Sequence, residues 1–238
     1  MLLDQSKDAF EYRRNSRLRI LDLGCGLGRH THSLQFLSDL NQIRDRIDVI
    51  GVDLDINDLS SAKNRGLSFQ ANASWVCADL YQLPFDAKEF DIVICSEVIE
   101  HVSNWKDLIA VCRSLLRPHG LFALSFPTAW PERLCWQLDN QYFQTPGGHI
   151  RIMDEHLVKE ACRLQKLTLI EKYRKHALHA PYWWLRCLFG QNEKNLLVRS
   201  YKQFLEWELL TNPAWVKSIE ERLDPALGKS TCLVFRNG

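Results

Sequence analysis

Residues Leu18–Thr31 read L-R-I-L-D-L-G-C-G-L-G-R-H-T. An apolar run of strand type carries Asp22 near its end, glycines alternate at Gly24, Gly26 and Gly28, and a helical pattern begins at Arg29. Strand, bare backbone and helix start, in that order, bring main chain close to a nucleoside-bearing ligand. The spacing is G-x-G-x-G, which departs from the G-x-G-x-x-G of dinucleotide sites and shifts the weight onto the segments downstream.

Outward from this turn, strand-like runs alternate with helical ones, the pattern of a parallel sheet with crossover helices. Arg19–Leu23 is the first strand, and Arg29–Leu40 a helix with Leu34, Leu37 and Phe36 on its inner side. Strands follow at Asp48–Asp53, Ala73–Cys77, Phe90–Cys95 and Gly120–Ser125, with helices at Ile56–Arg65, capped by Asn57 or Asp58, and at Trp105–Leu116. The second half is less regular. Pro127–Gly148 reads as a loop with one helix at Glu132–Gln137, Met153–Gln165 as an amphipathic helix capped by Asp154, and Leu167–Tyr173 and Ser230–Arg236 as the last two strands. The expected fold is α/β: a doubly wound, Rossmann-like, mostly parallel seven-stranded sheet with helices on both faces. An aromatic-rich helical cap over 177–228 separates a core of residues 1–176 from a final core strand at 229–238.

Composition narrows the partners. A formal charge of +1 on 238 residues leaves no global field to draw the chain to nucleic acid or an anionic membrane. The basic runs Arg13-Arg14 to Arg19 and Lys172 to His176 read as solvated faces. Eight scattered cysteines with no C-x-x-C pair suit reduced thiols. With no apolar run of spanning length and no signal-type N-terminus, the expected location is cytoplasmic. Peripheral lipid contact stays compatible with the aromatic cap. The string Ala226–Ser230 imitates a phosphate loop, but Leu223 stands where that motif needs glycine and a strand follows instead of a helix.

Ligands of open parallel sheets bind beyond the carboxyl ends of the strands, so the residues there carry the functional reading. Asp53 ends the second strand, where a carboxylate can accept both ribose hydroxyls. Asp79, in C-A-D-L after the third strand, can take a proton from an adenine amino group. S-E-V-I-E-H-V, Ser96–Val102, follows the fourth strand.

These segments resemble the class I S-adenosylmethionine-dependent methyltransferases, in particular the type 11 group that includes quinone-biosynthesis and small-molecule enzymes. The resemblance rests on Ile20–Gly28, Val49–Asp53, Ala78–Phe85, Phe90–Val102 and Leu115–Leu121, in order across about half of the chain. It implies S-adenosylmethionine as cofactor. Gly24, Cys25, Gly26 and Gly28 would approach the methionine moiety, with Asp22 organising the turn and the amino group. Asp53 and Leu54 would take the ribose and the adenine face, Asp79 and Leu80 the adenine edge. Ser96 and Glu97 would line the methionine side, with His101 near the rim. Arg29 and His30 depart from the small residues often found there and would face substrate or solvent.

The acceptor side is less defined. His149, in the glycine-hinged T-P-G-G-H-I-R, is the first candidate general base and His179 the second, with Arg151 as an orienting cation. Tyr182, Trp183 and Trp184 offer stacking faces for a sugar, a quinone ring or a lipid chain, and equally a seam between cap and sheet. No metal-ligand spacing appears at the strand ends, so no metal is expected. The leading expectation is O-methylation of a glycan, glycolipid or secondary metabolite. The alternatives are C- or O-methylation of a quinone or polyprenyl acceptor, and a cofactor-binding regulatory protein without turnover.

Overall fold

A computed structural model describes residues 17–40, 44–68, 73–139, 142, 148–189 and 195–238. Arg13, Arg14 and the 143–147 stretch leading to His149 lie outside the described residues.

Seven strands form one sheet: β1 Leu18–Leu23, β2 Ile47–Asp53, β3 Ser74–Cys77, β4 Phe90–Ser96, β5 Leu116–Pro127, β6 Leu167–Lys175 and β7 Ser230–Asn237, in the order β3-β2-β1-β4-β5-β7-β6. β1 to β5 pair in parallel, and β7 inserts antiparallel between β5 and β6. The strand order reverses between β1 and β4. There the crevice beyond the strand ends opens.

Alternation along β1 shows how the two layers arise. Leu18 and Ile20 face one layer with Val49, Ile92, Ile94 and Leu34; Leu21 and Leu23 face the other with Val93, Leu108, Ile109 and Val158. β4 is buried along Phe90–Cys95, as a central strand covered on both faces requires. Helices α1 Arg29–Leu40 and α2 Ile56–Ser68 follow β1 and β2, and α3 Trp105–Leu115 follows β4. In α1, Thr31, Leu34, Gln35 and Ser38 are buried, whereas Phe36 and Leu37 are exposed. The inner stripe thus runs at i, i+3, i+4 and i+7 from Thr31, and the expected inward Leu37 and Phe36 fall outside it. α2 is capped two residues before the nearer expected position: the Asp55 carboxylate accepts from the Asn57 amide at 2.8 Å.

β5 starts earlier than the expected Gly120. Leu116 pairs with Phe90 and Leu121 with Ile92, so Pro118 and the left-handed His119 sit in a bulge inside the strand instead of ending it. Beyond β5 come α4 Ala129–Leu138 and α5 Glu155–Leu164, the latter capped by Asp154 as expected. The cap contributes α6 His179–Phe189, α7 Leu196–Thr211 and α8 Ala214–Leu227 between β6 and β7. The basic run on β6 is paired within the chain: Lys172 with Glu155, Lys175 with Asp224, and Arg174 with the Pro225 carbonyl. All eight cysteines are free thiols. Among the described residues no helix is long and apolar enough to cross a membrane.

Candidate active site

The glycine turn is held from both sides. The amides of Gly24 and Cys25 donate to the Val52 carbonyl at 2.8 and 3.0 Å, and the buried Asp22 carboxylate accepts from the Thr31 amide and hydroxyl at 3.0 and 2.7 Å. Asp22 therefore ties the end of β1 to the first turn of α1. Burial pushes its carboxyl up, against the pull of the Thr31 hydrogen bond.

The three glycines have different reasons to be glycine, although all take left-handed φ. A Cβ on Gly24 would lie 2.4 Å from a Val98 methyl, whereas one on Gly26 would meet nothing within 4 Å. Gly26 faces open space at the crevice, and its amide donates to the Asp53 carboxylate at 2.7 Å. Asp53 also accepts from the Asp55 amide at 3.0 Å, so its two oxygens are aimed along the ends of β1 and β2. Beside it Leu54 is 70% exposed, an apolar face left open at a strand end. Asp79, exposed, caps its own turn through the Tyr81 amide at 2.8 Å, with Leu80 half-buried next to it. The open cradle at Gly26, the carboxylate of Asp53 and the bare face of Leu54 fit a ribose-linked adenine with a zwitterionic tail. Cys25 differs: its side chain is buried, so only its backbone reaches the crevice.

This division predicts two separable defects. Gly26→Ala is expected to weaken S-adenosylmethionine binding about tenfold in calorimetric titration, with a stability loss of only ~1 kcal/mol from the left-handed φ. Gly24→Ala, driven into Val98, is expected to lower the melting temperature far more. Equal loss of affinity and stability in both variants would refute the assignment of open space to the ligand.

Across the crevice, a hydrogen-bonded row runs along the ends of β4 and β5. His30 Nε2 lies 3.0 Å from the Ser96 hydroxyl, Ser96 lies 2.8 Å from the Ser125 hydroxyl, and Ser125 donates to Glu97 Oε1 at 2.9 Å. Glu97 itself is left-handed at φ 54, and burial pushes its carboxyl up. His30 thus faces the site, one of the two outcomes its position allowed.

A second constellation sits beside this row, from loops and helices remote in sequence. His149 Nδ1 lies 2.6 Å from Glu132 Oε1, which also accepts from Trp136 Nε1 at 3.1 Å, and Tyr142 Oη lies 3.5 Å from the other oxygen. Burial alone would raise the Glu132 carboxyl, but the bonds and charge from His149 outweigh it and hold it below the ordinary value. An ionised carboxylate can only accept, so Nδ1 of His149 carries the proton and Nε2 is its free face. His101 stands at 5.0 Å, ring to ring, with Nδ1 on the Gly148 carbonyl at 3.2 Å. His101 therefore stands beside His149.

Glu100 is fully buried and both its oxygens lack a hydrogen-bond partner. Burial, then the neighbouring Glu97, push its carboxyl to about 9, so it stands protonated at neutral pH. Lys229 is pushed down by burial and up by Glu97 and Glu132, and its ammonium lies 4.2 Å from the Trp183 ring centroid. Arg151, the expected orienting cation, instead donates to the Ser103 carbonyl at 3.0 Å.

The aromatic run of the cap divides in three. Trp184 donates to the Pro131 carbonyl and packs on Trp130, a seam between cap and core; Tyr182 stacks on Tyr201 of α7. Trp183 alone turns to the site, between Lys229 and Tyr142, the latter at 5.9 Å. His179 lies with His176 and Glu220, not with His149. Among the described residues, side chains able to hold a cation gather in two places, Glu100–His101–His149 and His176–His179–Glu220, the ligand atoms of each group within 4.8 Å of one another. No spacing rule reveals either group, because each draws on segments 40 or more residues apart.

Residues 21–124 match the family model described as a methyltransferase domain. That match covers less than half of the chain; over it, the sheet order and the glycine cradle are similar to those of a methyltransferase domain. The chain is 34% identical over 101 residues to a ubiquinone biosynthesis O-methyltransferase of Coxiella burnetii, a match covering 42% of this chain and 40% of that protein. It therefore spans well under half the length of the curated relatives it matches. Among solved structures, the YcgJ protein of Bacillus subtilis superposes with a TM-score of 0.60 at 16% identity, covering 98% of each chain. A phosphoethanolamine N-methyltransferase 2 of Haemonchus contortus, solved with S-adenosyl-L-methionine, gives 0.58 at 16% identity over 98% of this chain and 52% of that one.

Proposed function

We propose that the chain methylates a hydroxyl on an aromatic, quinone-type small-molecule acceptor, with His149 as general base. The observation that carries this reading is the His149–Glu132 pair, set beside the ring faces of Tyr142 and Trp183. S-adenosylmethionine, when bound, supplies an electrophilic methyl group for in-line displacement. The protein's part is to hold the acceptor oxygen in line and take its proton. His149 Nε2 is the free imidazole nitrogen for that proton, and Glu132 steadies the imidazolium that forms. Neutral Glu100, fully buried, adds no charge beside His149, and Lys229 balances Glu97 and Glu132. A flat acceptor ring can lie against Trp183.

The quinone alternative gains support from the relatives, which carry the name ubiquinone biosynthesis O-methyltransferase; the glycan reading has no such support. A screen for S-adenosylhomocysteine release over catechols, quinols and sugars tests the proposal. Turnover is expected on a phenolic acceptor, and His149→Ala should lower it by about 10²–10⁴-fold with cofactor affinity retained. Chemical rescue of His149→Ala by added imidazole would support the base. Turnover on sugars alone, or full activity in His149→Ala, would sink the reading. Cofactor binding with no turnover on any acceptor would favour the regulatory alternative.

A further inference from the structure

The cap holds a second gathering of ligating groups that the methyl-transfer reading does not use. His176 ends the segment after β6, His179 opens α6, and Glu220 projects from α8. Their ligand atoms lie within 4.8 Å of one another, and the two imidazole rings are 5.2 Å apart in an edge arrangement. His179 Nδ1 and Glu220 Oε1 are buried there with no hydrogen-bond partner. Two such unsatisfied atoms are costly to bury unless a further group meets them.

We propose that His176, His179 and Glu220 bind a divalent ion of the zinc type, which braces the cap against the end of β6. Two imidazole nitrogens and one carboxylate oxygen are a donor set that suits zinc, leaving a fourth position for solvent at the exposed His176. The supporting contacts are already built. The Ala177 amide donates to Asp224 at 3.1 Å, Tyr201 Oη donates to the Leu178 carbonyl at 3.0 Å, and Arg174 donates to the Pro225 carbonyl at 2.8 Å. These bonds clamp the 174–178 segment onto α7 and α8, so the three ligands come from a fixed frame. Lys175 is neutralised by Asp224 at 3.1 Å, and Lys229 is engaged with Glu97 and Glu132. Arg29 remains as the opposing charge in reach of His176. One ion across these ligands would tie the segment after β6, α6 and α8 together beside those hydrogen bonds.

The test uses the whole chain and zinc itself. After chelator treatment, Zn²⁺ is titrated in competition with a chromophoric chelator, and Co²⁺ is added separately to read the visible bands of a four- or five-coordinate ion. The expected result is one ion per chain and a raised melting temperature. His179→Ala and Glu220→Gln should each weaken zinc binding by at least about tenfold, whereas Glu100→Gln and His149→Ala should leave it unchanged. Matching circular dichroism and metal-free melting establish that each variant is folded; the near-isosteric Glu220→Gln decides the matter if His179→Ala is not. No competition by the parent chain would overturn the proposal, as would binding retained in Glu220→Gln. Loss in Glu100→Gln with retention in Glu220→Gln would move the ion to the other group and overturn it as well.

Discussion

Glu132→Gln is expected to cut turnover by about 10²-fold, roughly 2.7 kcal/mol of transition-state stabilisation, while S-adenosylmethionine affinity stays within twofold. Three observations set that expectation. Glu132 is buried at 2% exposure, its carboxylate meets Nδ1 of His149 at 2.6 Å, and no group of the glycine cradle touches it. A glutamine keeps the shape but removes the charge that stabilises an imidazolium. Its amide nitrogen can also face Nδ1 and select the tautomer whose Nε2 is already protonated. The defect should therefore fall on kcat and spare both KM values. Imidazole, which replaces a missing ring in His149→Ala, should not rescue Glu132→Gln. A merely structural role for Glu132 would instead lower the melting temperature with kcat per folded enzyme unchanged. Acid adds an independent check. The folded carboxyl lies below its ordinary value of 4.5, so the pair stabilises the fold above that value and is lost as pH falls through the lower folded one. Glu132→Gln should flatten that acid limb.

What the sequence disclosed and what it hid divide along the range of the interactions. β1, β2, β4 and their helices were legible because each is fixed by a local signal: an apolar run, a glycine turn, a cap. The places of Asp22, Gly26, Asp53, Leu54 and Asp79 at or just beyond strand ends were legible for the same reason, since they occupy fixed offsets from those ends. Leu37 misled because helix period alone does not tell which arc faces the sheet; Thr31, tied to Asp22, sets that arc. Pro118 misled because a bulge lets a strand continue through a residue that usually ends one. The acceptor side was harder. Glu132 looks like an ordinary first-turn helix acid, and its meaning appears only once the fold sets His149 against it. Lys229, set aside as part of a phosphate-loop imitation, acquires its place from β7 entering beside β5. His176 and His179 are three apart and could have been seen as a pair. Their partner Glu220 lies on a different helix, and nothing local points to it.

Glu100→Gln is expected to stabilise the fold at pH 8 by several kcal/mol, the reverse of the usual effect of a buried substitution. Glu100 is fully buried at the β4–α3 turn, with neither oxygen hydrogen-bonded, His101 Nε2 at 3.8 Å and Glu97 beside it. Its carboxyl titrates near 9 in the fold against 4.5 in the unfolded chain. Between those values the folded state holds a proton that the unfolded state has released. Stability therefore falls as pH rises through that window, by up to ~1.4 kcal/mol per unit. Below 4.5 both states are protonated and the penalty vanishes; above 9 both are ionised and it is complete. Glutamine mimics the protonated acid in shape and donor capacity but cannot ionise on unfolding. Urea melts of the parent chain from pH 5 to 9 should thus show a declining free energy that Glu100→Gln levels, with the two curves meeting near pH 5. Parallel curves would mean that Glu100 is ionised in the fold and neutralised by a partner, either His101, whose Nε2 lies 3.8 Å from its Oε1, or a cation held with His101 and His149. The same neutrality matters for the proposed chemistry: a protonated Glu100 adds no second negative charge near the His149–Glu132 pair. A chain that tolerates so costly a carboxyl at this spot gives up stability beside the proposed base.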